Sequence, residues 1–311
     1  MGPNAMITEL AAAAHALVSG GRGLLSLDVA ASAHRELPAI TPGIERYVSG
    51  LVLDSATLRR SARGGGRIVD VLRERGILAG VTVGLCDGLS TLPWRLADYA
   101  ALGVRFATCR AVFRIEPGMG APPERTMASN AHALARFARA CQANGVVPVV
   151  ACDVQAEGDH HIMRCEDATT RALRCTFAAL AEAGVALDAM VLAVNMVTPG
   201  LASSQRAEVA DVVAATLRAL GAAVPVAVAG IAFLSGEHQE RIATERLCSL
   251  NKTMPRRRPW PLTFDYGRAT EHTPQSLLHR LRCNGLAACG AYTTKIEDLD
   301  LTEKRVPGIA A

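Results

Sequence analysis

Eight short apolar runs in this 311-residue chain end on residues that could do chemistry. Asp28 and Asp54 close the first two, and Cys86 with Asp87 closes the third. Arg110 lies in the fourth, Cys152 and Asp153 in the fifth, and Asn195 in the sixth. Ser235 and Gly236 end the seventh; Asp265, Gly267 and Arg268 end the eighth. A charged or polar side chain at the end of an apolar strand more often serves function than one on a helix face. Carboxylates such as Asp28 and Asp153 can take and return protons, and guanidiniums such as Arg110 and Arg268 can hold an anionic group. Cys109 and Cys152 raise a nucleophile option, since a thiolate with a lowered pKa can attack carbon. Consecutive strand residues face opposite sides, however. If Arg110 and Asp153 point inward, the neighbouring thiols point outward and stay inert.

The elements that would position these residues are legible as alternation. The apolar runs are GLLSLD (23–28), SGLVLD (49–54), GVTVGL (80–85), VRFATCRAVF (104–113), VVPVVACDV (146–154), MVLAVNMV (190–197), VPVAVAGIAFLSG (224–236) and LTFDYG (262–267). Continuous apolar runs mark strands buried on both faces, and alanine- and leucine-rich helical patterns separate them. Eight strand–helix units without a linker predict an α/β fold, a (β/α)8 TIM barrel forming a single domain over residues 1–311. A helical segment is expected at 1–20 and a C-terminal tail at 285–311. The alternative, an open doubly wound sheet, lacks a GxGxxG after its first strand, and GGGR at 64–67 follows a helix-like segment instead. In a barrel of this kind the chemistry sits at the C-terminal strand ends, where the polar residues fall.

Composition narrows the partners. Half the residues are hydrophobic and the formal net charge is only +4, so neither a nucleic acid nor a membrane surface is implied. Nine cysteines without a C-x-x-C pair point to reduced thiols and a cytoplasmic protein. No run of 18 apolar residues and no signal-peptide pattern is expected to place the chain in or across a membrane. Only Lys252, Lys295 and Lys304 are lysines; the remaining basic side chains are arginines.

Several stretches resemble class I fructose-1,6-bisphosphate aldolase: NMVTPG (195–200), GIAFLSGEHQERIATERLCSLNK (230–252) and PWPLTFDYGRA (259–269), with weaker matches around Asp28, at 144–160 and at LRCNGLAACGAYT. The resemblance covers most of the chain in the family's order. It implies a phosphate site built from FLSG, with Ser235 and Gly236, and DYGR, with Gly267 and Arg268. There glycine backbone N–H groups approach phosphate oxygens and the arginine adds a charge. Asp265 stands where the family usually has serine. The catalytic half departs further. Ala193 occupies the place of the family's Schiff-base lysine, Ala151 that of a proton-transferring glutamate, and Thr108 that of a strand-four lysine. A strand-three lysine aligns with Thr82. Asp28 and Arg110 persist. The chain is also shorter than typical members, lacking about one helix before LRCNGLAACGAYT and the family's C-terminal tyrosine.

Alanine cannot form an iminium, so the expectation is a repurposed enzyme of lyase, condensation or isomerase type. It would work through an enolate on a small anionic, phosphorylated substrate. Asp28, Asp153, Arg110 and Asn195 are the catalytic candidates, and Ser235, Gly236, Gly267, Arg268 and Asp265 the substrate-binding ones. Two alternatives stand beside it. One is a pseudo-aldolase that binds phosphosugars or acts as a scaffold. The other is a metal-assisted lyase using Asp153, Asp159, His160 and His161, a cluster without zinc spacing that also reads as an ordering loop. No cofactor and no metal are expected, and the resemblance implies a homo-oligomer, tetramer or dimer.

Overall fold

Each of the eight apolar runs forms a parallel strand, and the strands close in sequence order into a barrel from β1 to β8. The computed structural model describes residues 3–26, 41–59, 66–85, 91–115, 122–234, 240–253, 259–267 and 272–297. The strands are β1 (Gly23–Ser26), β2 (Val48–Leu53), β3 (Leu78–Thr82), β4 (Phe106–Phe113), β5 (Val147–Val154), β6 (Val191–Val194), β7 (Ile231–Leu234) and β8 (Leu262–Tyr266). The helices are α1 (Pro3–Val18), α2 (Ser55–Leu58), α3 (Ile68–Glu74), α4 (Leu92–Ala101), α5 (Glu124–Ala143), α6 (Ile162–Glu182), α7 (Val209–Ala223), α8 (Glu240–Lys252) and α9 (Pro274–Ala288).

Alternation along the strands divides the core in two. Leu24, Val52, Phe106, Val147, Val149, Ala151, Val191, Ala193 and Ala232 fill the barrel interior together with Leu10, Ala14 and Leu17 of α1. The helical segment expected at 1–20 therefore plugs the N-terminal mouth. Ser49 ties it there by donating to the Leu17 and Gly23 carbonyls. The other strand face packs outward under the helices, with Leu51, Cys109, Cys152, Leu192, Phe233 and Phe264 in that layer.

Three boundaries differ from expectation. The seventh run begins as turn and coil, and only Ile231–Leu234 pairs. Pro225 has no N–H to donate to a ladder, and Val226 is exposed to solvent. The expected tail starts inside α9, which continues through Gly285 to Ala288. Gly285 packs so closely on the loop before β1 that a Cβ there would lie 3.0 Å from the Gly21 carbonyl oxygen. Asp54 ends β2 as the N-cap of α2, accepting from the backbone N–H of Ala56 and Thr57 at 2.9 Å each. Among the described residues no helix is long and apolar enough to cross a membrane.

Candidate active site at the C-terminal mouth of the barrel

One register row crosses five strands as Arg110, Ala151, Ala193, Ala232 and Thr263. The three alanines face inward and are buried, so this level of the interior carries methyl groups where longer side chains could stand. Two of the three positions expected to have lost catalytic side chains, Ala151 and Ala193, are direct partners in the β5–β6 ladder, and Thr108 is the third. Thr108 and Thr82, also paired in register, lie on the same inner side of β4 and β3. Among the described residues the lysines are Lys252 and Lys295. Both are exposed, one ending α8 and the other in the 3-10 turn Thr294–Ile296.

Above the alanines, polar groups converge. Arg110 rises from β4 and its Nε donates to Asp153 Oδ2 at 2.9 Å, with a second contact from a terminal nitrogen to the same oxygen. The pair is lopsided in burial: the Arg110 side chain is 60% exposed, the Asp153 side chain 9%. The guanidinium can therefore meet a ligand while it holds the carboxylate. Asn195 sits beside this pair, but its amide is committed to the backbone. Its Oδ1 accepts from Val154 N at 2.7 Å and its Nδ2 donates to the Met196 carbonyl at 3.1 Å. Its role in the structure is to brace the strand end that carries Asp153.

Asp265 enters from β8, 7% exposed, and accepts from Ser26 Oγ at 2.8 Å across the β8–β1 closure. Burial pushes its carboxyl above the usual 3.8, and the Ser26 hydroxyl and the Arg110 charge oppose that only in part. Ser26 was not singled out in the sequence; β1 had offered only Asp28 as a strand-end group. The shift has a stability consequence. The folded state holds this proton more tightly than the unfolded chain, so the advantage is full below 3.8 and is lost as pH rises through the raised value. Asp265→Asn keeps an oxygen for Ser26 and carries no charge. Its thermal midpoint is expected to exceed that of the wild type at about pH 8 and to converge with it as pH falls toward 3.8.

Behind the mouth, Tyr266 points the other way, toward α8 and α9. Its hydroxyl donates to Glu240, whose Oε1 also lies 3.0 Å from His272 Nε2. Burial works against the Glu240 charge, but the hydrogen bonds from His272 and Tyr266 outweigh it and hold the carboxyl down to about 2. Gly267, the described member of the expected phosphate loops, directly follows this anchored tyrosine.

Asp28, Ser235, Gly236 and Arg268, like Cys86 and Asp87, lie outside the described residues. The outward direction expected for the thiols holds. Cys109 is wholly buried, and Cys152 donates to Thr176 Oγ1 of α6 at 3.5 Å, where burial pushes its thiol up to about 12. The metal-assisted alternative is not supported. Among the described residues no group of three drawn from Asp153, Asp159, His160 and His161 comes close enough to share an ion. His160 is 9% exposed and burial lowers its imidazole pKa. Its carbonyl accepts from Gly200 N at 2.8 Å, joining the loop after β5 to the loop after β6. Gly200 is required there, since a Cβ would stand 2.2 Å from the Gly158 carbonyl oxygen and 3.0 Å from His160 Nδ1.

Residues 29–306 match the family model described as fructose-bisphosphate aldolase class-I. A fructose-bisphosphate aldolase of Echinococcus multilocularis is 36% identical, aligned over 93% of this chain and 92% of its own length. The cytosolic fructose-bisphosphate aldolase 4 of Arabidopsis thaliana is also 36% identical, over 83% and 72%. The fructose-bisphosphate aldolase of Plasmodium falciparum, solved in complex with TRAP and a small-molecule inhibitor, superposes with a TM-score of 0.87. It is 32% identical, with coverage of 93% of this chain and 96% of that one.

Proposed function

This chain belongs to the class I fructose-bisphosphate aldolase family, and from that premise we propose that it is a repurposed member working without a Schiff base. The observation that carries this reading is Ala193, buried inside the barrel between Ala151 and Ala232, with Arg110 and Asp153 paired at the rim above it. Iminium catalysis needs a neutral amine at the substrate carbonyl. Among the described residues the lysines, Lys252 at the end of α8 and Lys295 in the turn Thr294–Ile296, are exposed and not at a strand end.

The chemistry left to such a mouth is enolate chemistry. Asp153 takes a proton adjacent to a carbonyl, Asp28 serves as the partner acid, and Arg110 offsets the negative charge on the enolate oxygen. Ser235, Gly236, Gly267 and Arg268 hold the phosphate of a small phosphorylated substrate. Asp265, buried on β8 beside Ser26, belongs to the same mouth, and burial disfavours its charged form. The same reading makes the protein a cytoplasmic homo-oligomer.

A second reading, a phosphosugar-binding protein without catalysis, draws on one contact. Arg110 already neutralises Asp153, and that pairing would silence a base. Borohydride reduction in the presence of fructose bisphosphate or dihydroxyacetone phosphate tests the main proposal. No covalent adduct is expected by mass spectrometry, while phosphorylated ligands still raise the thermal midpoint. A reduced adduct on any lysine would overturn it.

A further inference from the structure

On α9, His279 and Cys283 stand four residues apart and share a helix face. The 3-10 turn Thr294–Ile296 folds back over that face and delivers Glu297 to the same spot. His279 Nε2 lies 3.7 Å from Cys283 Sγ and 4.0 Å from Glu297 Oε2. One donor atom from each of the three falls within 4.8 Å of the others. We infer that His279 Nε2, Cys283 Sγ and Glu297 Oε2 form a binding site for a divalent zinc-class ion that pins residues 294–297 to α9.

The donor set selects the ion. Imidazole nitrogen, thiolate and a single carboxylate oxygen suit a borderline-soft cation such as Zn2+ better than Mg2+ or Ca2+, which prefer all-oxygen shells. Bond lengths of ~2.0 Å to nitrogen and ~2.3 Å to sulfur place those two atoms roughly 3.5 Å apart at a tetrahedral angle. The observed 3.7 Å needs only a small closure. Lone-pair counting identifies which carboxylate oxygen is open. Oε1 accepts from Arg280 Nη1 and from the Tyr292 hydroxyl, both at 2.8 Å, which uses its two lone pairs. Among the described residues Oε2 accepts only from Arg280 Nη2, at 2.6 Å, and it is the oxygen that faces His279.

Arg280 and Tyr292 thus act as the outer shell that orients a ligating carboxylate and balances its charge. The Nδ1 of His279 is buried without a hydrogen bond among the described residues, so the imidazole's polar contacts are those of Nε2 to Cys283 and Glu297. The side chains of His279 and Glu297 keep 13% and 10% exposure, leaving a side open for a water as fourth ligand. On binding, the Cys283 thiol gives its proton to solvent and its sulfur donates a lone pair to the ion. No electron transfer and no co-reactant are involved.

The test is a Co2+ titration of the full-length, reduced, chelator-washed protein. The wild type is expected to bind one equivalent, with a thiolate-to-cobalt charge-transfer band in the near ultraviolet that Zn2+ then bleaches. Cys283→Ser is expected to lose the band, and His279→Gln to weaken binding at least ~10-fold. Neither change removes a hydrogen bond that the Arg280–Glu297 pair needs, and metal-free thermal midpoints close to wild type would verify that both variants fold. No band in the wild type, or an undiminished band in Cys283→Ser, overturns the site.

Discussion

Gly80→Ala is expected to destabilise the barrel by about 1–3 kcal/mol, and a smaller residue at Phe106 to recover part of that loss. Phe106 is fully buried inside the barrel, and its ring lies over the β2 and β3 backbones at two glycines. A Cβ on Gly80 would come within 2.2 Å of the ring, and one on Gly50 within 2.8 Å. Neither glycine has a positive φ, so the constraint is space rather than backbone conformation. Alanine also restricts the unfolded chain, which favours folding by roughly 0.4–1 kcal/mol and sets a lower bound on the clash needed for a net loss. Phe106→Leu alone should cost about 1–2 kcal/mol through the space it leaves. In the double variant the two penalties should overlap rather than add, with a coupling of about 0.5–3 kcal/mol. Chemical-denaturation midpoints of the four proteins measure this. Strict additivity would mean that the ring and Gly80 do not touch.

The same residues show what a linear reading reaches. With Arg110 taken to point inward, alternation along β4 was enough to send Cys109 outward, because the side-chain period of a strand is two wherever the strand runs. It was not enough to bring Arg110 to Asp153. That contact depends on the parallel register in which Val112 stands opposite Asp153 and Arg110 opposite Ala151. Nor could it find Ser26 for Asp265, since those residues meet only because β8 closes on β1 from 239 positions away. The apolar run before β7 misled because hydrophobicity cannot tell a strand from a turn that buries Val224 and Val228 and exposes Val226. Pro225 was the available warning, and its carbonyl accepts from Trp260 Nε1 at 2.8 Å. His279 and Cys283 form an i, i+4 pair on one helix face, but two donors alone do not mark a metal site in a sequence. The third donor comes from a turn whose return path the sequence does not announce.

Asp153→Asn and Arg110→Ala should separate catalysis from binding at the mouth, and they carry the largest expected effects on activity. Asparagine keeps an oxygen that accepts from Arg110 but cannot take a proton. Turnover of a phosphorylated substrate that stabilises the protein is therefore expected to fall by about 10²–10⁴-fold, while the ligand-induced rise in thermal midpoint persists. Removing Arg110 takes away a charge-assisted donor worth roughly 1.5–3 kcal/mol, so ligand affinity should weaken by about 10–100-fold along with turnover. Arg110→Lys should recover little, because the native arginine reaches Asp153 Oδ2 through two nitrogens of one rigid plane while staying 60% exposed to ligand. If Asp153→Asn instead leaves turnover intact, Asp153 serves only to hold the guanidinium. If no phosphorylated ligand turns over in the wild type although several bind, the pairing of Arg110 with Asp153 marks a binding protein. The family's barrel would then have kept its anion site and given up its chemistry along with the amine at Ala193.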